Sequence, residues 1–251
     1  MKIAISGKGG VGKTSIMAML ALHLHNQRGM EVLVIDADPS PHMAQTLGIK
    51  DIANLRPIAD MRDLLTERSG KTPGSPFYNI NPKIDDLISR FMVGEDGLRL
   101  MVLGAIQTGD SGCACAENTV LRRLLAKLIL SPTQTVLLDM EAGVEHLGRG
   151  TIAGVDHLLV VVIPANSSVR TAQKIQKLAN DVGIPRISFI GNLVRDSDDE
   201  QFLTEALGAR PIACFPDSAE IRKAERNQEP LSRMAELFRS LLEEMVTVLA
   251  L

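Results

Sequence analysis

A chain of 251 residues with 45% hydrophobic and 23% charged side chains can bury a large core as one domain, and it has the balance of an ordinary globular protein. Its formal net charge of −3 gives no general electrostatic pull toward nucleic acid, and its three cysteines make no disulfide framework, which fits a reducing compartment. No stretch is apolar for long enough to cross a bilayer and no charged-then-apolar leader precedes the first apolar run, so neither nucleic acid nor membrane is expected as a partner.

The apolar run Ile3-Ala4-Ile5 within residues 2–6 reads as a strand, and residues 15–26 read as a helix. Between them, Gly7-Lys8-Gly9-Gly10-Val11-Gly12-Lys13-Thr14 fits the pattern G-x-x-x-x-G-K-[ST]. A glycine-rich turn in that position points successive backbone N–H groups and a helix N-terminus at a polyphosphate. Gly9, Gly10, Val11, Gly12, Lys13, Thr14 and Ser15 form the expected cradle, with Lys13 on the β- and γ-phosphates and the Thr14 hydroxyl on Mg²⁺. ATP or ADP with Mg²⁺ is the expected ligand, and the need for ATP points to the cytoplasm.

Residues 32–36 form the next strand, ending in Asp36-Ala37-Asp38-Pro39. A carboxylate just past the carboxyl end of a strand beside the phosphate loop can orient an attacking water or a magnesium-bound water. Asp36, at the strand end, serves equally as a hydrogen-bonded structural group. Residues 69–97 then read as an irregular insertion, marked by Gly70-Lys71-Thr72-Pro73-Gly74-Ser75-Pro76 and Asn81-Pro82. Such an excursion in a compact domain is usually functional or mobile.

After a strand over residues 98–103 comes Ser111-Gly112-Cys113-Ala114-Cys115-Ala116, expected as an exposed loop before a helix over 117–130. Residues 135–140 follow as a strand in which Val136-Leu137-Leu138-Asp139 has Walker B form, so that Asp139 should hold Mg²⁺ through water. Asp139-Met140-Glu141-Ala142-Gly143 fits a switch segment, with the Gly143 N–H sensing the γ-phosphate.

Strands over 157–163, 186–192 and 211–215 alternate with helices over 168–182, 200–207 and 219–226. The continuous run Leu158-Leu159-Val160-Val161-Val162-Ile163 suits a strand buried on both faces. This order predicts an α/β fold of the P-loop type: a doubly wound, mostly parallel sheet of about seven strands with helices on both faces and ligands outside the strands' carboxyl ends. One ATPase domain is expected over residues 1–251. Arg170, Lys174 and Lys177, with Asp181 nearby, read as a solvated helix face. Residues 231–249 place Leu231, Met234, Leu237, Phe238, Leu241, Leu242, Met245 and Leu249 at helical spacing. The polar side of that helix, Arg233, Glu236, Arg239, Glu243 and Glu244, is mixed in sign, which favours core packing over lipid.

Lys8-Gly9-Gly10-Val11-Gly12-Lys13-Thr14 resembles the deviant P-loop of the MinD/ParA/nitrogenase-iron-protein class of ATPases. The resemblance implies an ATP-closed homodimer in which Lys8 reaches the partner's nucleotide. It also implies that Asp38 acts in the first switch loop and ranks above Asp36. Asn192, in Gly191-Asn192-Leu193-Val194-Arg195, looks like that class's base-recognition asparagine, with Pro216 and Asp217 flanking adenine. An asparagine at a strand end is also a common turn residue.

Two thiolates from one C-x-C loop are too few for a closed four-coordinate site. Two copies of the loop at a dimer axis would bring four sulfurs together: a tetrahedral set suits Zn²⁺ or an iron–sulfur cluster, and a flattened one suits Ni²⁺. The plainer alternative is two buried cysteines that happen to lie two apart. Cys214 reads as a small core hydrophobe. The C-x-C pair and Asp139-Met140-Glu141-Ala142-Gly143-Val144-Glu145-His146-Leu147-Gly148-Arg149-Gly150 together resemble the CooC/AcsF family of nickel-handling ATPases. Gln45-Thr46-Leu47-Gly48 and Asn81-Pro82-Lys83 extend the similarity.

That resemblance implies an ATP-dependent metallochaperone, with nickel or zinc shared between Cys113 and Cys115 of two subunits. It names carbon monoxide dehydrogenase or acetyl-CoA synthase as the client. No cysteine follows Asp139 where the nitrogenase iron protein has one; His146 lies there, as a structural residue or one facing the metal. Two other readings share the fold: an iron–sulfur carrier, whose usual C-x-x-C is absent, and a ParA/MinD-type positioning ATPase.

Overall fold

The computed structural model describes residues 1–38, 42–50, 52, 55–72, 77–95, 97–104, 114–129, 135–140 and 154–251. In chain order the elements are β1 (Lys2–Gly7), α1 (Lys13–Arg28), β2 (Val32–Ala37), α2 (Met43–Leu47), α3 (Arg62–Ser69), α4 (Asp85–Phe91), β3 (Met92–Glu95), β4 (Leu98–Val102), α5 (Ala114–Ile129) and β5 (Thr135–Met140). They continue with β6 (His157–Val162), α6 (Asn166–Asp181), β7 (Ile187–Val194), α7 (Ser197–Leu207), β8 (Cys214–Pro216), α8 (Ala219–Asn227), α9 (Ser232–Leu237) and α10 (Arg239–Leu249).

Among the described residues eight strands form one sheet in the order β3-β4-β2-β5-β1-β6-β7-β8, parallel throughout except for the β3–β4 pair. Successive side chains of a strand point to opposite faces, and here both faces are apolar. Ile3, Ile5, Val32, Val34, Leu137 and Leu159 face the layer of α1, α9 and α10. Ala4, Leu33, Ile35, Val136, Leu138 and Leu158 face the layer of α3, α5 and α6. Double burial is why these strands read as unbroken apolar runs. Helix α1 is itself enclosed, between the sheet on one side and α2, α9 and α10 on the other, so Ile16 through Leu22 are all buried.

The sheet has one strand more than the sequence suggests. The insertion expected to be irregular carries α4 and then β3, which turns back antiparallel on β4. Gly94 permits it: its φ is 107°, and a Cβ there would lie 2.3 Å from the Leu98 carbonyl oxygen. Four residues interrupted by glycine carry too little alternation to be read as a strand.

The last helical stretch is two helices, not one, with a break at Phe238 (φ −98°, ψ 22°). Leu231, Met234, Leu242, Met245 and Leu249 are buried as core packing requires, while Leu237 faces out with 59% exposure. Arg170, Lys174 and Lys177 are exposed on α6. No helix among the described residues is long and apolar enough to cross a membrane.

Phe215 in β8 is fully buried and meets Phe238 edge-on, with ring centroids 5.9 Å apart at 77°. That contact ties the sheet's last strand to the junction of α9 and α10. Phe215→Ala should lower unfolding stability by about 3–5 kcal/mol, read from the shift of the urea midpoint at constant slope.

Candidate functional site

The carboxyl ends of β1, β2 and β5 lie side by side, and their registers align Ile5 with Asp139 and Asp36 with Asp139. The loop after β1 turns into α1 through Gly12, whose φ of 88° is left-handed and whose missing side chain leaves room for Asn192. A Cβ on Gly12 would stand 2.3 Å from the Asn192 amide nitrogen. That nitrogen donates to the Val11 carbonyl at 2.8 Å, so β7 holds the phosphate loop in shape.

The two loop lysines differ in setting. Lys13 is 7% exposed, and its Nζ lies 3.4 Å from the Lys8 carbonyl oxygen. Lys8, with Gly9 and Gly10, is exposed, and its Nζ donates to Ser167 Oγ at 2.9 Å, at the start of α6. The first amine is held within the cradle, and the second lies outside it.

Below the loop, Thr14 Oγ1 donates to Asp139 Oδ2 at 2.6 Å. Asp139 is 1% exposed, and its Oδ1 has no partner among the described residues. Asp36, also buried, accepts from the backbone N–H groups of Asp38 (3.1 Å) and Met43 (3.2 Å), and so caps α2 as a structural carboxylate. Asp38 is half-buried just beyond the strand. Burial raises the Asp36 carboxyl to about 6, against the opposing pull of those two N–H groups. Burial likewise raises Asp139 to about 7, opposed by the Thr14 hydroxyl and assisted by the neighbouring Asp36 charge.

On the other side of the loop is a cavity of about 480 Å³. Gly10, Val11, Gly12 and Ser15 line it from the phosphate loop, and Asn192, Pro216 and Asp217 from the ends of β7 and β8. The residues expected around a base therefore share one cavity with the cradle. A bulge between Gly191 and Val194 shapes this end, with Leu193 at φ 55°. Asp217 is paired with Arg222 and with Arg195, the latter at 3.6 Å.

Ile16 and Met19 of α1 and Leu193 also line this cavity, and a further wall comes from residues that no motif marks. Ser218, Ile221, Arg222 and Glu225 enter the cavity from α8 and its N-cap. They carry no motif, and their signal is only the spacing that puts them on one face of a helix.

Gly143, His146 and Cys113 lie outside the described residues. Cys115 does not sit on a loop: its backbone belongs to the first turn of α5, which begins at Ala114, three residues before the expected start. Alanines at 114 and 116 and Glu117 in the first turn favour that earlier start. No cluster of His, Cys, Asp or Glu able to hold a metal occurs among the described residues. Cys214 lies on the edge strand β8, half-buried and packed against the core without belonging to it, and burial is the chief cause that pushes its thiol up.

The raised carboxyl groups have a measurable consequence. The folded protein keeps protons on Asp36 and Asp139 that the unfolded chain has already released, so stability falls as pH rises from the ordinary carboxyl range through about 6 and 7. Free of nucleotide and Mg²⁺, the protein should melt at a higher temperature at about pH 5 than at about pH 8. Asp139→Asn should flatten part of that decline in a thermal-melt series.

Comparison with known proteins agrees with this geometry. Residues 2–231 match the family described as the CobQ/CobB/MinD/ParA nucleotide binding domain. The chain is 41% identical over 209 residues to the carbon monoxide dehydrogenase accessory protein CooC of Rhodospirillum rubrum, covering 82% of this chain and 79% of that one. It is 41% identical over 237 residues to an uncharacterized ATP-binding protein of Methanocaldococcus jannaschii, covering 92% and 91%. In fold it is similar to the MinC:MinD cell division protein complex structure of Aquifex aeolicus, with TM-score 0.67, 22% identity and coverage of 99% and 96%. The chain belongs to the CobQ/CobB/MinD/ParA nucleotide-binding family, among its CooC-type deviant P-loop ATPases.

Proposed function

We propose that this chain is one ATP-hydrolysing domain that works in the cytoplasm as a metallochaperone, closing into a homodimer on ATP. In this reading two copies hold nickel, or zinc, through Cys113 and Cys115. The metal is then inserted into carbon monoxide dehydrogenase or acetyl-CoA synthase. The 41% identity to a protein named as a carbon monoxide dehydrogenase accessory factor supports the choice of client.

One observation carries the reading. Helix α5 opens beside the cysteine pair, and the chain then runs to β5, whose Asp139 is bonded to Thr14 of the phosphate loop. A change at the nucleotide can thereby be passed to the thiol-bearing segment through α5, the element that joins Cys115 to β5. A helix N-terminus also favours the thiolate over the thiol, which is the metal-binding form.

Roles at the nucleotide follow from the setting of each group. Lys13, enclosed by the loop, binds the β- and γ-phosphates, while the backbone of Gly9, Gly10, Val11, Gly12 and Ser15 cradles the polyphosphate as a whole. Lys8, on the exposed side, reaches the nucleotide of the partner subunit. Asp38 orients the attacking water. Asn192, Pro216 and Asp217 bound the adenine, and Gly143 senses the γ-phosphate. Thr14 Oγ1 and the Asp139 carboxylate, one oxygen of which has no partner among the described residues, are hard donors of the kind Mg²⁺ takes. Thr14 would bind the ion directly and Asp139 through water; bound there, it offsets charge on the β- and γ-phosphates.

Metal content and mass in solution, with and without ADP and ATP, test the reading. Wild type should carry about half an equivalent of nickel or zinc per chain in an ATP-bound dimer. The Cys113→Ser/Cys115→Ser protein should lose the metal and keep ATP binding; metal retained at comparable affinity would overturn the shared thiolate site. Lys8→Ala should still bind ATP but hydrolyse it about a hundredfold more slowly, measured as phosphate release.

A further inference from the structure

Ser15 Oγ donates to Glu225 Oε1 at 2.5 Å. Ser15 stands in the first turn of α1 directly after Thr14 and is buried, whereas Glu225 comes from α8, 210 residues further along the chain. The pair is a wall between two spaces. Both residues line the cavity of about 480 Å³ beside the phosphate loop. Both also line a second cavity of about 390 Å³, which continues past Thr14 to His42 and Gln45.

A serine hydroxyl has a single proton to donate. In this arrangement the proton is given to a carboxylate, inside a cradle whose N–H groups and helix N-terminus face an anion. A phosphate arriving at the first turn of α1 needs the same proton and carries the same sign of charge as its present acceptor. The carboxylate and the phosphate therefore cannot both occupy the Ser15 position.

We propose that Glu225 is a positioning residue that sets nucleotide affinity: it holds the Ser15 hydroxyl while the cavity is empty and must leave it when the nucleotide's first phosphate enters. This rests on the nucleotide reading of the cavity given above. The contact is a brake on binding, because part of the favourable phosphate interaction is used to break it. Glu225 is exposed on its outer side, so water is available to receive the displaced carboxylate and the brake is modest.

Titration calorimetry with AMP, ADP and adenosine, on wild type, Glu225→Gln and Glu225→Ala, tests this. Removing the charge should tighten AMP and ADP by about fivefold, the range expected for a partly exposed charged contact. Adenosine, which has no phosphate, should bind all three proteins alike. A purely structural role for Glu225 would move the three ligands together. Equal AMP and ADP affinities in wild type and Glu225→Gln, or an equal gain for adenosine, would overturn the proposal. If Glu225→Gln melts below the assay temperature, Glu225→Ala carries the same comparison. Failure of wild type to bind AMP, ADP or ATP would instead remove the nucleotide reading and this inference with it.

Discussion

Two carboxylates buried at the ends of neighbouring parallel strands are the constraint around which the site is arranged. Asp36 and Asp139 are in register on β2 and β5, and each loses its hydration on folding, which is costly unless donors replace the water. The protein supplies those donors from the two segments that matter at the site. Asp36 receives the N–H groups that begin the loop to α2, and Asp139 receives the hydroxyl that begins α1. The same groups that relieve the burial therefore fix the phosphate loop and the chain that follows β2 against the sheet. One oxygen of Asp139 has no donor among the described residues.

The separation of the two lysines follows from the same geometry. Anchoring Thr14 to Asp139 draws the end of the loop inward, and Lys13 goes in with it. Lys8, five residues earlier, stays on the rim, where its amine rests on Ser167. A loop with one enclosed and one outward amine suits a site completed by a second molecule. The family placement and the proposed dimer thus meet at a single residue.

Much of this was legible from residues alone because it is local in sequence. The phosphate loop, the strand ends at Asp36 and Asp139, and the runs of strands buried on both faces each declare themselves within a short window. Asn192, Pro216 and Asp217, which the sequence places around a base, come from two different strand ends and line one cavity with the loop. What escaped depends on contacts distant in the chain. Helix α2, with five residues, is too short to form unaided; it is held by the bond from its first N–H to Asp36 and by packing on α1. Strand β3 needs β4 beside it, and the break at Phe238 goes with the ring of Phe215. The wall contributed by α8 is a product of packing, with Glu225 meeting a serine from the opposite end of the sequence. At the cysteines the reading was right about proximity to a helix start and placed that start too late.

The rims of the sheet bear on how copies of this protein can meet. One rim is β3, four residues containing a glycine, and the other is β8, three residues ending in Pro216, which has no N–H to offer. Neither is a usable template for adding another strand. Lateral growth of the sheet into fibres or strand-swapped pairs is therefore discouraged at both flanks. With both rims closed to strand addition, the loop-bearing end of the strands, where Lys8 is exposed, is the face that the proposed dimer would use.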